Sequence, residues 1–95
     1  MFPAKPASVS AADGAKAAAE GRVVVYWRQG CPFCKRLQLR LGRRVGDVVW
    51  VDVWADPDAS AYVKSVNGGD ELVPTVVIAG RPHSNPAPRE VLAAL

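Results

Sequence analysis

Apolar side chains run unbroken through Val23-Val24-Val25-Tyr26-Trp27 and then reappear at three- and four-residue spacings. The unbroken run predicts a strand over 22–27 that is covered on both faces of a sheet. Beyond it, Cys34, Leu37, Leu41 and Val45 share one face, while Arg36, Arg40, Arg43 and Arg44 lie mostly off it. That pattern predicts an amphipathic helix from Pro32 to about Arg44, closed near Gly42 or Gly46. Over 47–54 the period falls to two, with Val49, Val51 and Val53 on one side and Trp50, Asp52 and Trp54 on the other, as in a second strand. Asp56-Pro57-Asp58 opens a second helix with an N-cap acid, Pro at N1 and a further acid at the positive end of the dipole. Ala59, Tyr62, Val63 and Val66 form its stripe, and Asn67-Gly68-Gly69 ends it because Asn and Gly enter the left-handed conformation readily. Val73-Pro74 then reads as a bend into a third strand through Ile78, since a proline cannot donate to a ladder and belongs at an entry. Ala79-Gly80 turns into a short edge strand over 81–84. Asn85, with Pro86 at N1, caps a last helix whose stripe is Pro88, Val91, Leu92 and Leu95. The order is β-α-β-α-β-β-α.

Residues 1–21 stand outside this pattern. They are Ala-rich, interrupted by Pro3, Pro6, Gly14 and Gly21, and show no amphipathic stripe. Ser10 followed by Asp13 resembles a capping box, so 11–20 can form a short helix, which Gly14 weakens. The segment reads as a tail, flexible in its first residues and partly helical, ahead of a single domain over 22–95.

A chain of 95 residues supports one modest core, and none of its apolar runs approaches the roughly 20 residues of a membrane span. The net charge of +3 lacks an aromatic-rich basic stripe, so nucleic acid is not an expected partner. The helix arginines read as a solvated face or as a docking patch for an acidic partner. The opening Met1-Phe2-Pro3-Ala4-Lys5-Pro6 has no apolar core of an export signal, which places the expected site of action in the cytoplasm.

Chemistry concentrates at Gly30-Cys31-Pro32-Phe33-Cys34, between the first strand and its helix. Zinc is not expected, because only Cys31, Cys34 and His83 are available to ligate it. A structural disulfide closing so short a loop would constrain the unfolded chain little. Redox catalysis remains. A thiol with the ordinary pKa of ~8.5 is mostly protonated at neutral pH, and the thiolate is the species that attacks. Cys31 falls at a helix N-terminus, where the dipole favours negative charge by roughly 0.3–1 kcal/mol. Arg28 and Lys35 stand close enough in sequence to stabilise a thiolate there, or are simply solvated. Cys34 lies one turn on, with Cβ roughly 5–6 Å from that of Cys31. A small rotation reaches the 3.5–4.5 Å of a disulfide, so Cys34 is the candidate resolving thiol. Asp52 is either a buried proton relay or a strand-end carboxylate bound to backbone.

With these elements placed, the chain resembles the glutaredoxins over about residues 22–95. Cys31-Pro32-Phe33-Cys34 differs by one aromatic from their usual C-P-Y-C, Val73-Pro74-Thr75 is similar to their cis-proline segment, and Arg28 stands three before the first cysteine as in many of them. Ser65-Val66-Asn67-Gly68-Gly69, Val73-Pro74-Thr75-Val76 and Asn85-Pro86 most resemble the mycoredoxin branch of actinobacteria. Glutathione-using members carry a Gly-Gly pair and an acid after the fourth strand, where this chain has His83-Ser84-Asn85-Pro86.

The resemblance implies an α/β thioredoxin fold, with a four-stranded mixed sheet flanked by helices. It implies a thiol–disulfide oxidoreductase that reduces mixed disulfides with mycothiol as co-substrate, through nucleophilic Cys31 and with no tightly bound cofactor. Its partners would be mycothiolated proteins and either mycothiol disulfide reductase or thioredoxin reductase. Arg28, Pro32, Phe33, Val73, Pro74 and Asn85 are the candidate thiol-binding residues, with the Val73 backbone pairing with the cysteinyl part and Asn85 taking the polar end. Tyr26 and Trp27 are candidates for an apolar rim or for the core. Two other readings stay open: an electron donor recycled by thioredoxin reductase, and a binding module switched by the Cys31–Cys34 disulfide.

Overall fold

The computed structural model describes residues 6–95, so the first part of the expected tail lies outside the described residues. Four strands, β1 (Val24–Trp27), β2 (Val49–Asp52), β3 (Thr75–Ile78) and β4 (Arg81–Ser84), form one sheet in the order β2-β1-β3-β4. β1 runs parallel to β2 and antiparallel to β3, with Tyr26 opposite both Val51 and Thr75. The helices are α1 (Ala11–Ala19), α2 (Pro32–Leu41), α3 (Pro57–Val66) and α4 (Pro88–Ala93), and a 3-10 turn over Gly42–Asp47 follows α2. This is the thioredoxin fold.

The unbroken apolar run now has its reason. Val23, Val25 and Trp27 point to one face, where they join Leu37 and Leu41 of α2, Trp50, Val76 and Val91 of α4. Val24 and Tyr26 point to the other, against Val51, Val53, Ala17 of α1 and Ala59 and Val63 of α3. Burying each such valine contributes about 1.5–3 kcal/mol, so β1 anchors both layers. The two-residue alternation of β2 divides between the same clusters.

Three expectations change. Residues from Ser8 onward are not a tail. Ser8 bridges to Trp50, Val9 N–H donates to the Trp50 carbonyl at 2.9 Å, and the Ser8 hydroxyl accepts from Trp27 Nε1 at 2.9 Å. α1 starts as expected, with Ser10 Oγ accepting from Asp13 N–H, and then lies against the sheet at Gly14. A Cβ on Gly14 would stand 2.6 Å from Val51 Cγ2. The glycine that weakens the helix is what lets it approach.

The last helix begins later than expected. Its N-cap is Ala87, with Pro88 at N1, and Asn85 sits before it at φ 43°, its N–H donating to the Pro74 carbonyl at 2.8 Å. Asn tolerates the left-handed region better than most residues. Asn67 is the third change. It ends α3 at φ −125°, leaving the positive φ values to Gly68 and Gly69. Its side chain donates to the Val63 carbonyl and to Thr75 Oγ1 and accepts from the Ser84 hydroxyl, tying α3 to β3 and to the edge strand β4.

Candidate active site

The parallel β1–β2 pairing and the helical turn after it bring the C-x-x-C to the end of the sheet. Cys31 is the N-cap of α2, with φ −84° and ψ 114°, and Pro32 occupies N1. Cys31 Sγ accepts the N–H of Cys34 at 3.3 Å and donates toward the Val73 carbonyl at 3.6 Å. The thiol therefore sits between a helix N-terminus and the segment ahead of β3, where the Val73–Pro74 bond is cis. That segment is held from behind, because Thr75 Oγ1 donates to the Leu72 carbonyl at 2.7 Å and accepts from Asn67 Nδ2 at 3.0 Å.

Both cysteines are free and buried. Burial pushes the Cys34 thiol up to about 12, and its hydrogen bond with Cys31 adds to this. The Arg28 backbone and charge act in the opposite direction but do not offset it. At neutral pH Cys34 is therefore a thiol, while Cys31 has a backbone N–H aimed at its sulfur.

The remaining candidates divide. Phe33 is 52% exposed on the rim, beside a cavity of about 230 Å3 that Arg36, Leu37, Asn85, Pro86 and Pro88 complete. Pro74 is fully buried and Val73 half-buried. Lys35 is exposed in the first turn of α2, its N–H closing on the Cys31 carbonyl at 3.1 Å. Tyr26 and Trp27 belong to the core and not to a rim. Tyr26 packs on Tyr62 at 4.9 Å on the opposite face of the sheet, and Trp27 meets Trp50 edge-on at 6.4 Å. Asp52 takes the backbone role, Oδ1 accepting from the N–H groups of Trp54 at 2.8 Å and Ala55 at 3.3 Å.

Arg28 is not simply solvated either. Its guanidinium donates to the Gln29 carbonyl and stacks 5.0 Å from the ring centre of Trp54. Trp54 was not visible as a site residue in the sequence, because the two-residue alternation extends the strand through it. The carboxylate of Asp52 stops the strand instead and turns the indole outward. Among the described residues no three His, Cys, Asp or Glu side chains are grouped to hold a metal ion, and no helix is long and apolar enough to cross a membrane.

A dithiol at a helix N-terminus, facing the carbonyl ahead of a cis proline on this sheet, defines a thioredoxin-fold protein equipped for thiol–disulfide exchange. The family model described as Glutaredoxin matches residues 23–83, and the chain belongs to that family. It is 38% identical over 74 residues to Mycoredoxin 1 of Corynebacterium glutamicum, covering 77% of this chain and 91% of the relative. A putative glutaredoxin of Mycobacterium tuberculosis is 36% identical over 74 residues, covering 77% and 88%. Among solved structures, oxidised glutaredoxin 2 from Chlamydomonas reinhardtii aligns with TM-score 0.58 and 27% identity over 90% of this chain and 86% of that one. The holo form of glutaredoxin C1 from Populus tremula x tremuloides aligns at 0.58 and 21%, over 86% and 81%. The chain is a thiol–disulfide oxidoreductase of the mycoredoxin branch of the glutaredoxins.

Proposed function

We propose that the protein reduces mixed disulfides between mycothiol and its substrates in the cytoplasm, with Cys31 as the attacking thiol. The observation that carries this is the Cys31 sulfur itself, capping α2 on the Cys34 N–H while the Cys34 thiol stays protonated. Similarity to a protein named Mycoredoxin 1 supports mycothiol as the small thiol.

In the cycle, the Cys31 thiolate attacks the mycothiol sulfur. The S–S bond breaks, its electron pair leaves with the substrate thiolate, which takes up a proton, and Cys31 holds the mycothiol. A second mycothiol thiolate then attacks the mycothiol sulfur, releasing mycothiol disulfide and Cys31, and mycothiol disulfide reductase restores the pool. In the dithiol branch Cys34 loses its proton and attacks Cys31, expelling mycothiol. The resulting disulfide is reduced afterwards. The Val73 backbone pairs with the cysteinyl part of the bound thiol, Pro32, Phe33 and Pro74 wall the slot, and Asn85 with its cavity receives one end of the thiol. Arg28 and Lys35 supply positive charge near the helix N-terminus.

Turnover of a mycothiolated peptide, coupled either to mycothiol with mycothiol disulfide reductase or to thioredoxin reductase alone, tests the reading. Turnover is expected in the first arrangement. Activity confined to the second would replace mycothiol by a protein reductant.

A further inference from the structure

Trp54 is 63% exposed, yet both its backbone and its indole are fixed. Asp52 takes its N–H at 2.8 Å, Glu71 Oε1 accepts from its Nε1 at 3.1 Å, and the Arg28 guanidinium lies 5.0 Å from its ring centre. Glu71 is itself held by the Ser60 hydroxyl. The partners locate this indole. Arg28 stands three residues before Cys31, and Glu71 stands two before Val73, whose carbonyl accepts from the Cys31 thiol. Trp54 is thereby tied to the two segments that carry the reacting sulfur and the carbonyl facing it, and it is not among the residues that line the Asn85 cavity.

A single exposed indole is ordinary on a protein surface, but one held in place by a carboxylate and a guanidinium offers a preset face, and amphipathic Trp suits a partner that is part apolar and part polar. Beside the ring stand a guanidinium with several donors, a carboxylate that only accepts, and a hydroxyl that does both. A neutral ring with C–H faces and many hydroxyls matches that set. The cavity of about 230 Å3 beside Asn85 is smaller than the roughly 300–1,000 Å3 that encloses a whole small ligand, so it takes one end of a thiol conjugate and leaves the other outside.

We propose that Trp54, with Arg28 and Glu71, and in place of Asn85, is the platform on which the polyhydroxylated rings of the thiol co-substrate stack, and that it sets the preference for a glycosylated cysteinyl thiol over a bare one. This rests on the mycothiol reading above, mycothiol being a cysteinyl conjugate of an amino sugar and a cyclitol. The test compares mixed disulfides of one peptide with mycothiol and with N-acetylcysteine, which carries the reacting group without the rings. The readout is the ratio of the two kcat/KM values, which does not depend on the fraction of protein folded.

The wild-type ratio is expected to favour mycothiol by about 10- to 100-fold, the range one well-filled contact region supplies. Trp54→Ala should bring the ratio close to one, Trp54→Phe should leave it intermediate, and Leu39→Ala, on an exposed position of α2, should keep the wild-type value. A wild-type ratio near one, or a Trp54→Ala ratio equal to wild type, overturns the platform even if mycothiol still recycles the enzyme. Turnover of the N-acetylcysteine disulfide with none of the mycothiol one overturns the mycothiol reading and the platform with it.

Discussion

If Cys34 is held as a thiol by burial, closing the Cys31–Cys34 disulfide should be slow at neutral pH and should accelerate steeply with alkali. With the thiol pushed up from 9.0 to about 12, the thiolate population at pH 7 falls by about a thousandfold relative to an unperturbed cysteine. A more basic thiolate is a better nucleophile, and with a Brønsted coefficient of ~0.4–0.5 three pH units return roughly 15- to 30-fold. The net expectation is closure roughly 30- to 60-fold slower than for an unperturbed thiol in the same geometry. Loading Cys31 with thionitrobenzoate and following release of the chromophore as Cys34 displaces it measures this step directly. Forming that mixed disulfide removes the Cys31 thiol as a hydrogen-bond partner, but burial, the larger cause, remains. The rate should rise close to tenfold per pH unit through pH 10 without levelling. A rate that bends over at or below about pH 9–10, as for a thiol at the ordinary value, would mean that the Cys34 thiol is not held up, and the protonated-resolver argument would be lost.

Several further outcomes follow from the same geometry. Cys34→Ser should retain most mixed-disulfide reduction in a mycothiol-coupled assay, whereas Cys31→Ser should lose it; complete loss in Cys34→Ser would make the dithiol branch obligatory. Gly14→Ala gains about 0.8–1.0 kcal/mol of helix propensity but forces a methyl against the stiff Val51 side chain at about 1–3 kcal/mol. A Tm lower by roughly 4–8 °C for each kcal/mol lost is expected, and a rise in Tm would show that α1 is free to move off the sheet. Asp56 accepts from the N–H groups of Ala11 at 2.8 Å and Asp58 at 3.0 Å, capping α3 while holding the start of α1. These bonds, that from Ala11 foremost, hold its carboxyl below 3.8. A depressed carboxyl contributes stability that is present above its unfolded pKa and lost as pH falls through the folded one, so the contribution should fade below about pH 4. Asp56→Ala should flatten the acid limb of a denaturation midpoint plotted against pH, and an unchanged limb would refute the double cap.

Much of this molecule was readable where residue type dictates local geometry. The β-branched run of β1, the Asp56-Pro57 helix start and the Cys31-Pro32 junction each state their backbone conformation in their own side chains. The misread parts depend on fit between distant segments. An Ala-rich stretch gives no amphipathic signal because small residues bury by close approach, and that approach needs Gly14 to meet Val51. Asn85-Pro86 and Ala87-Pro88 both offer a residue ahead of a proline, and the choice is made by Asn85 N–H reaching the Pro74 carbonyl. Trp54 continues the alternation of β2, and only the carboxylate of Asp52, folded back on the N–H groups of Trp54 and Ala55, ends the strand and brings the indole to Arg28.

The central claim is that Cys31 takes up mycothiol. The intact mass of Cys34→Ser protein recovered from the cytosol of its own cell, with the modified residue mapped by peptide digestion, tests it most directly. One mycothiol joined to Cys31 is the predicted result. Protein that sustains mixed-disulfide reduction yet carries no thiol adduct on Cys31, or carries glutathione there, would contradict the account.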